Sequence, residues 1–530
     1  MMSLPALSCL LSTEVRHPLN SPPPQPPPSS ALHRHLYQTQ PAHLSSDNAN
    51  TSQSISFTIS DKNPTVVSWT SSISRQCRQG QLSQAISTFS HMLRSGVDPN
   101  DITITTLLSG CADFPDEAGS LGASVHGLAL KTAMARGSVM VGTAVIDMYA
   151  KRGDVGSARM AFDRMGGRNP FTWNTMIDGY MRNREIGPAL ELFDEMPHRD
   201  AISWTVLING FIKGGYFDEA LDFFSQMQLS GVKPDYVTII SVLAACANLG
   251  SLGLGLWVNR LIISKHFRDN VRVCNALIDM YCRCGCVDLA RQVFQKMPER
   301  TVVSWNSIIV GSAANGHAEL ALEFFKSMQA EGFQPDGVTF TGALTACSHA
   351  GLVKEGLQYF DTMKRVHRIR PRIEHFGCLV DLYSRAGRLE DALRVIETMP
   401  VKPNEVILGS LLAACRTHED VNLAEKLMKY LVDVDPDSDS NYVLLSNIYA
   451  AVGEWDGANK IRRKMKSRGI QKKPGFSSLE VSCTTHEFVS CDKSHPDSEQ
   501  IYAMLDFLSS ELRVHGYVPE AVELALYEND

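Results

Sequence analysis

The fold is decided by residues 302–336, VVSWNSIIVGSAANGHAELALEFFKSMQAEGFQPD. Two apolar runs with helical spacing flank Gly316, and Gly332 and Pro335 close the stretch, so it reads as one helix–turn–helix unit. In its second helix Ala321, Phe325 and Met328 stand at i, i+4 and i+7 and share a face. The same triplet recurs at Ala85/Phe89/Met92, Ala158/Phe162/Met165, Ala189/Phe193/Met196, Ala220/Phe224/Met227 and Ala290/Phe294/Met297, and as Ala392/Ile396/Met399. A glycine stands five places before most of these alanines: Gly80, Gly153, Gly215, Gly285, Gly316 and Gly387. Glycine enters the left-handed region that ends a helix, so it marks the turn between paired helices. One such pair cannot bury its apolar face alone, and the units must stack into a solenoid.

Laid end to end, the units are 66–100, 101–138, 139–169, 170–200, 201–235, 236–270, 271–301, 302–336, 337–372 and 373–404. A tetratricopeptide array shares the helix-pair plan at about 34 residues per unit, but its first helix carries W-x₂-L-G-x₂-Y. Here the first helices open VSWT, FTWN, ISWT and VSWN. With these starts and the alternating lengths, the chain resembles the PLS class of plant pentatricopeptide repeat (PPR) proteins over about residues 66–520. Within that class it is similar to the E/E+ subgroup, which holds RNA-editing factors of chloroplast biogenesis. The resemblance implies an all-α, right-handed superhelical solenoid of helix–turn–helix repeats, TPR-like, with a small β-hairpin in a C-terminal extension.

Composition narrows the rest. The net charge is −7, whereas nucleic-acid binders are usually basic; a groove that reads bases one at a time needs only local positive charge. Thirteen cysteines show no paired framework, which fits buried thiols in a reducing compartment. No stretch approaches the roughly 20 apolar residues of a membrane span. Residues 1–60 are rich in Ser, Thr, Pro and His, with Glu14 and Asp47 the only acids. That composition fits an organelle transit peptide or a plain disordered tail. Few arginines in this segment, and the resemblance, favour a plastid over a mitochondrion.

Single-stranded RNA exposes the Watson–Crick edges of its bases, and a helical repeat can offer two or three side chains to each. In the resembled family the fifth and last residues of each repeat discriminate bases. Here those pairs are Thr70/Asn100, Thr105/Ser138, Thr143/Asn169, Asn174/Asp200, Thr205/Asp235, Ile240/Asn270, Asn275/Thr301, Asn306/Asp336, Thr341/Arg372 and Gly377/Asn404. Asn offers a donor and an acceptor, and Thr a hydroxyl. A good polar pair discriminates by about 1–3 kcal/mol. Asn and Thr also start helices as caps, but their recurrence in phase favours the reading role. Twelve residues are the expected RNA-binding set: Thr70, Asn100, Thr143, Asn169, Asn174, Asp200, Thr205, Asp235, Asn275, Thr301, Asn306 and Asp336. Ile240 and Gly377 break the pattern, and Arg372 could contact phosphate. The apolar second residues (Val67, Ile102, Met140, Phe171, Ile202, Val237, Val303 and Val338) could sandwich bases or simply pack between helices; Arg272 and Glu374 depart from them.

Two further helix pairs follow, 405–438 and 439–472, which resemble the E1 and E2 motifs. Eight Lys and Arg residues between Lys460 and Lys473 form the strongest basic run, a solvated face or a phosphate contact. Residues 473–530 resemble an E+ extension: alternation from Leu479 to Val489 predicts a hairpin, and a helix starts near Ser498. Phe476 and Ser478 depart from the usual residues there. A zinc deaminase needs H-x-E followed by P-C-x-x-C. No C-x-x-C occurs, and His317-Ala318-Glu319 lies in a repeat turn. Cys282, Cys284 and Cys286 lack the rest of a ligand set and read as structural.

The resemblance therefore implies a non-enzymatic specificity factor with no cofactor. It would select cytidines for C-to-U editing in chloroplast RNA, recruit a DYW-type deaminase in trans, and work with multiple organellar RNA editing factors. A peptide-binding helical scaffold, or an organellar splicing or stability factor, is the alternative.

Overall fold

The computed structural model describes residues 65–264, 267–472, 475–481, 484–489 and 492–517. The leader expected over 1–60 lies outside them, as do Lys473, Cys483 and Cys491. The described residues form two compact units, 65–276 and 277–517. In the first, helix pairs run from Val66–Arg78 with Leu82–Arg94 to Tyr236–Leu249 with Leu252–Ser264. In the second they run from Val302–Ala314 with Ala318–Ala330 to Asp439–Ala451 with Trp455–Ser467. The helix Val271–Arg283 spans the division. Both units are solenoids of helix pairs, as the periodicity requires. Repeat 101–138 carries two extra helical turns, Pro115–Ala118 and Met134–Gly137.

First helices pack on first helices: Ala201–Gly214 touches both Pro170–Arg182 and Tyr236–Leu249, and Gly337–His349 touches both Val302–Ala314 and Ile373–Arg385. Each second helix packs on its own partner and on the next first helix, as Phe217–Leu229 and Ala318–Ala330 do. The recurring alanines at 85, 158, 189, 220, 290, 321 and 392 are wholly buried, with buried Phe and Met beside them in all but the last triplet, where Ile396 is half-buried. Small residues set the spacing of the first helices: a Cβ added at Gly179 would stand 2.8 Å from the Ala150 Cβ.

The expected turn conformation is present at Gly316, with φ +78°. In repeat 170–200 the corresponding residue is Arg184, which holds φ +64° despite its side chain. A non-glycine residue there costs about 1–2 kcal/mol.

The recurring spacing of Phe and Trp in this chain (Phe162/Trp173, Phe193/Trp204 and Phe294/Trp305) has a physical basis in an arginine latch. Arg168 donates Nε to the Phe162 carbonyl at 2.9 Å and Nη2 to the Asp163 carbonyl at 3.0 Å. Its guanidinium lies 4.5 Å from the Phe162 ring centre, and that ring meets Trp173 edge-on at 5.0 Å. Arg199 repeats the arrangement over Phe193 and Trp204, and Arg300 over Phe294 and Trp305. The arginine thus satisfies carbonyls left open at the end of a short second helix while adding a cation–π contact.

Polar side chains also tie the C-terminal ends of consecutive first helices. Asn183 Nδ2 donates to the Ala150 carbonyl at 2.9 Å, and Asn315 Nδ2 to the Cys282 carbonyl at 2.8 Å. His349 Nδ1 lies 2.9 Å from the Ala313 carbonyl. At the opposite end of its helix, buried His375 accepts the Arg372 N–H on Nδ1 and donates from Nε2 to the Gly337 carbonyl, both at 2.9 Å. This geometry needs the neutral ring with its hydrogen on Nε2, and burial lowers the pKa of the imidazole.

After the last helix pair, strands Phe476–Val481 and Thr484–Val489 form an antiparallel hairpin that pairs Phe476 with Val489 and Leu479 with His486. The hairpin begins three residues earlier than the alternation indicates. The helix Ser498–Val514 follows; none of its residues is buried, and Met504, Leu505, Phe507, Leu508 and Leu512 are exposed.

Two predictions follow from these contacts. Arg184→Gly relieves the left-handed strain and raises the unfolding free energy by up to about 1 kcal/mol once the looser unfolded chain is counted; calorimetry reads it as a higher midpoint. For His375, whose folded pKa is depressed, the stabilising contribution is complete above the ordinary value of 6.5. Below it the unfolded chain takes up a proton that the folded ring resists, so stability falls as pH drops. Denaturant melts at pH 7.5 and 5.5 should show a smaller difference for His375→Thr than for the wild type.

Candidate functional site

The fifth and last residues of consecutive repeats meet at one end of each first helix. The last residue is the helix N-cap. Asn100, Asn169, Asp200, Asp235 and Asp336 each accept the backbone N–H three residues on at 2.7–2.9 Å, and Thr301 accepts that of Ser304 at 3.4 Å. All six stay exposed or half-exposed. The capping role is therefore real, yet it uses only Oδ1 and leaves Nδ2 of Asn100 and Asn169 and Oδ2 of Asp200 and Asp235.

The fifth residues stand in the seam between neighbouring first helices. Thr143, Asn174, Thr205 and Asn306 are only 4–6% exposed, and Thr70 is half-buried. In four repeats they join the cap through the third residue of the next unit. Thr70 Oγ1 lies 2.7 Å from Thr103 Oγ1, which donates to Asn100 Oδ1 at 2.8 Å. Thr143, Thr172 and Asn169 repeat this at 2.8 and 2.9 Å. Thr205, Thr238 and Asp235 do so at 2.7 and 2.7 Å. Asn306 donates Nδ2 directly to both carboxylate oxygens of Asp336, at 3.0 and 3.1 Å, and receives Thr339 Oγ1 on its Oδ1 at 2.6 Å. Sequence reasoning named the two ends of this chain of bonds and missed the middle. The signal was present as a hydroxyl three residues after the cap, in N-x-x-T and D-x-x-T.

The other pairs show no such junction among the described residues. Thr105 Oγ1 and Asn174 Oδ1 are buried without a hydrogen-bond partner among the described residues. Asn275 Oδ1 is likewise buried and unpartnered. Thr341 donates to the Gly337 carbonyl at 3.0 Å, and Arg372 is exposed with no side-chain cap bond. Beside this row the apolar second residues face solvent: Val67 is 71% and Phe171 69% exposed, and Ile102, Met140, Ile202, Val237 and Val303 are also exposed, while Val338 is half-buried. They lie one helical turn before the fifth residues, on the same face.

Among the described residues, no three His, Cys, Asp or Glu side chains converge as a metal site. Cys282 is buried against Gly311, and burial pushes its thiol up to about 12. Cys284 and Cys286 flank the turn, partly exposed. Burial likewise raises Cys347, Cys378 and Cys415 to about 12, so these thiols stay protonated and unreactive. In the basic run, Arg462 bonds Ser446 Oγ at 3.0 Å and Arg468 bonds the Tyr442 hydroxyl at 2.7 Å; Lys460, Arg463, Lys464 and Lys466 are exposed. No helix among the described residues is long and apolar enough to cross a membrane.

The chain matches the PPR repeat family over residues 64–113, 168–200, 199–248 and 300–349, and the PPR repeat over 143–169, 272–302, 338–366 and 374–402. It matches the E motif over 418–480 and the E+ motif over 485–512. It is 61% identical to the Arabidopsis thaliana pentatricopeptide repeat-containing protein At1g05750, chloroplastic, across 86% of this chain and 92% of that one. It is 44% identical to the Arabidopsis thaliana pentatricopeptide repeat-containing protein ELI1, chloroplastic, across 86% and 71%. Among solved structures, the maize pentatricopeptide repeat protein PPR10 shares the fold at a TM-score of 0.56 and 18% identity, covering 77% of this chain and 60% of that one. On the repeats, the motifs that follow them and this degree of identity, the chain belongs to the pentatricopeptide repeat family and carries its E and E+ motifs.

Proposed function

We propose that this protein is a sequence-specific single-stranded RNA-binding factor that selects cytidines for C-to-U editing in chloroplast transcripts and recruits a deaminase in trans. The observation that carries the proposal is the recurrence of one polar site per repeat. A cap that is exposed or half-exposed sits at the same end of successive first helices as an apolar second residue that is exposed in all but one of the eight repeats that carry one. An unstacked base needs both a hydrogen-bonding partner for its edge and an apolar surface for its face. Exposed Lys460, Arg463, Lys464 and Lys466 add positive charge to a chain whose net charge is −7. The chloroplast assignment draws on the relatives whose names carry it.

The editing role draws on the E and E+ motifs and on the helix Ser498–Val514. Leu505, Leu508 and Leu512 form an exposed stripe on that helix, a face suited to another protein. In this proposal it holds a DYW-type deaminase, with multiple organellar RNA editing factors assisting at the array. The chain itself does no chemistry on the base.

Carried over pair by pair, the family's code gives the target 5′-ANAUGNYUNN-3′, read from the first repeat to the tenth. Gel shifts should show tighter binding to this ten-nucleotide RNA than to scrambled versions, by about tenfold or more for two or more matched positions; equal affinity defeats the proposal. The double substitution Leu505→Glu, Leu508→Glu should leave that RNA affinity unchanged while abolishing capture of a DYW-type deaminase and editing in a loss-of-function plant. Full editing by the double variant would remove the helix from the mechanism.

A further inference from the structure

We propose that the third residue of the following repeat sets how sharply each base is discriminated, with Thr103, Thr172, Thr238 and Thr339 as positioning residues; this rests on the RNA-reading function proposed above. The chain contains its own comparison. Wherever the third residue is threonine, the fifth residue and the cap are joined: Thr70 to Asn100, Thr143 to Asn169, Thr205 to Asp235 and Asn306 to Asp336. Where it is Val141, Thr105 Oγ1 is buried and unpartnered; where it is Ser203, Asn174 Oδ1 is. Ser203 still bonds its own cap, Asp200, at 2.8 Å, but does not reach Asn174.

The bond pattern fixes which atoms a base can meet. Asp336 carries only acceptors, so Asn306 must turn its amide nitrogen toward it, and Asn306 Oδ1 is left to accept from Thr339. That amide therefore cannot flip to offer oxygen instead of nitrogen. Asp235 accepts the Thr238 hydroxyl, so the single hydrogen of Thr205 is spent inward, on Thr238 or on the Ala201 carbonyl, and Thr205 offers a base only lone pairs. Asn100 and Asn169 spend Oδ1 on their threonines and present Nδ2 as a donor. The Asn174 amide is held by no such bond at its oxygen and can present either group. A site with fixed donors rejects a mismatched edge because a buried group is then left unpaired; a site that can turn over accommodates it.

The pairs Asn174/Asp200 and Asn306/Asp336 are chemically identical, and both face U in the proposed target, at nucleotides 4 and 8. Single-base swaps should therefore cost unequally. Replacing U8 by A should weaken binding of the full-length protein by about tenfold or more, while replacing U4 by A should weaken it by a few-fold at most. Thr339→Val should lower the U8 cost to the U4 level and leave the costs at nucleotides 1, 3 and 5 unchanged, an effect that general destabilisation would not confine to one base. Ser203→Thr should raise the U4 cost, and it does not depend on Thr339→Val being well folded. Equal costs at U4 and U8 in the wild type, or a Thr339→Val protein that keeps the full U8 cost, overturn this inference while leaving the RNA-reading function standing. A wild type that binds target and scrambled RNA alike overturns both.

Discussion

An apolar face that only a neighbour can cover governs this molecule. Most second helices carry a buried alanine with large apolar side chains beyond it, and a lone helix pair has nothing to put against them. Stacking is therefore obligatory, and the stack brings first helices side by side wherever small residues let them approach, as at Gly179 and Ala150. Everything polar in the candidate site is placed by that packing. The fifth residue sits in the seam because the seam must close, and the cap sits at its mouth because a helix must begin there.

Polar bonds then hold what hydrophobic packing alone would leave free to slide. One set ties the beginnings of neighbouring first helices through threonine hydroxyls, and another ties their ends through Asn183, Asn315 and His349. The arginine latch adds a third restraint where the second helix is shortest, at Arg168, Arg199 and Arg300. Where the Met-Pro turn recurs without an arginine, in residues 399–404, no guanidinium latch forms. The repeats are thus alike in their core and individual at their edges, as a reader of varied bases requires.

Much of this was legible in the chain before any coordinates. The Ala–Phe–Met spacing located the second helices, and the preceding glycines located the turns. Arg184 escaped that logic because the turn it occupies needs a backbone conformation, not a particular residue. The candidate pairs were nameable because they recur in phase, but their burial was not, since a side chain's exposure depends on the neighbour stacked against it. Thr339 and its counterparts were overlooked for a related reason. Within one repeat such a threonine belongs to a capping motif; only the three-dimensional stack shows it touching the residue 33 positions earlier. The hairpin's earlier start, at Phe476, lay beyond pattern reading because backbone pairing extends past the alternation of side chains.

The described hydrogen-bond ties between first helices join only adjacent repeats. A solenoid of this kind behaves as a string of cassettes. Duplicating or excising one complete cassette re-creates a seam of the same type at the junction. An insertion of a few residues inside a helix, by contrast, rotates the triplet away from its neighbour and opens the core. Gene-level growth by whole cassettes is therefore the low-cost route to a longer or shorter array, and it carries each three-residue polar contact across the join as a part supplied jointly by two cassettes.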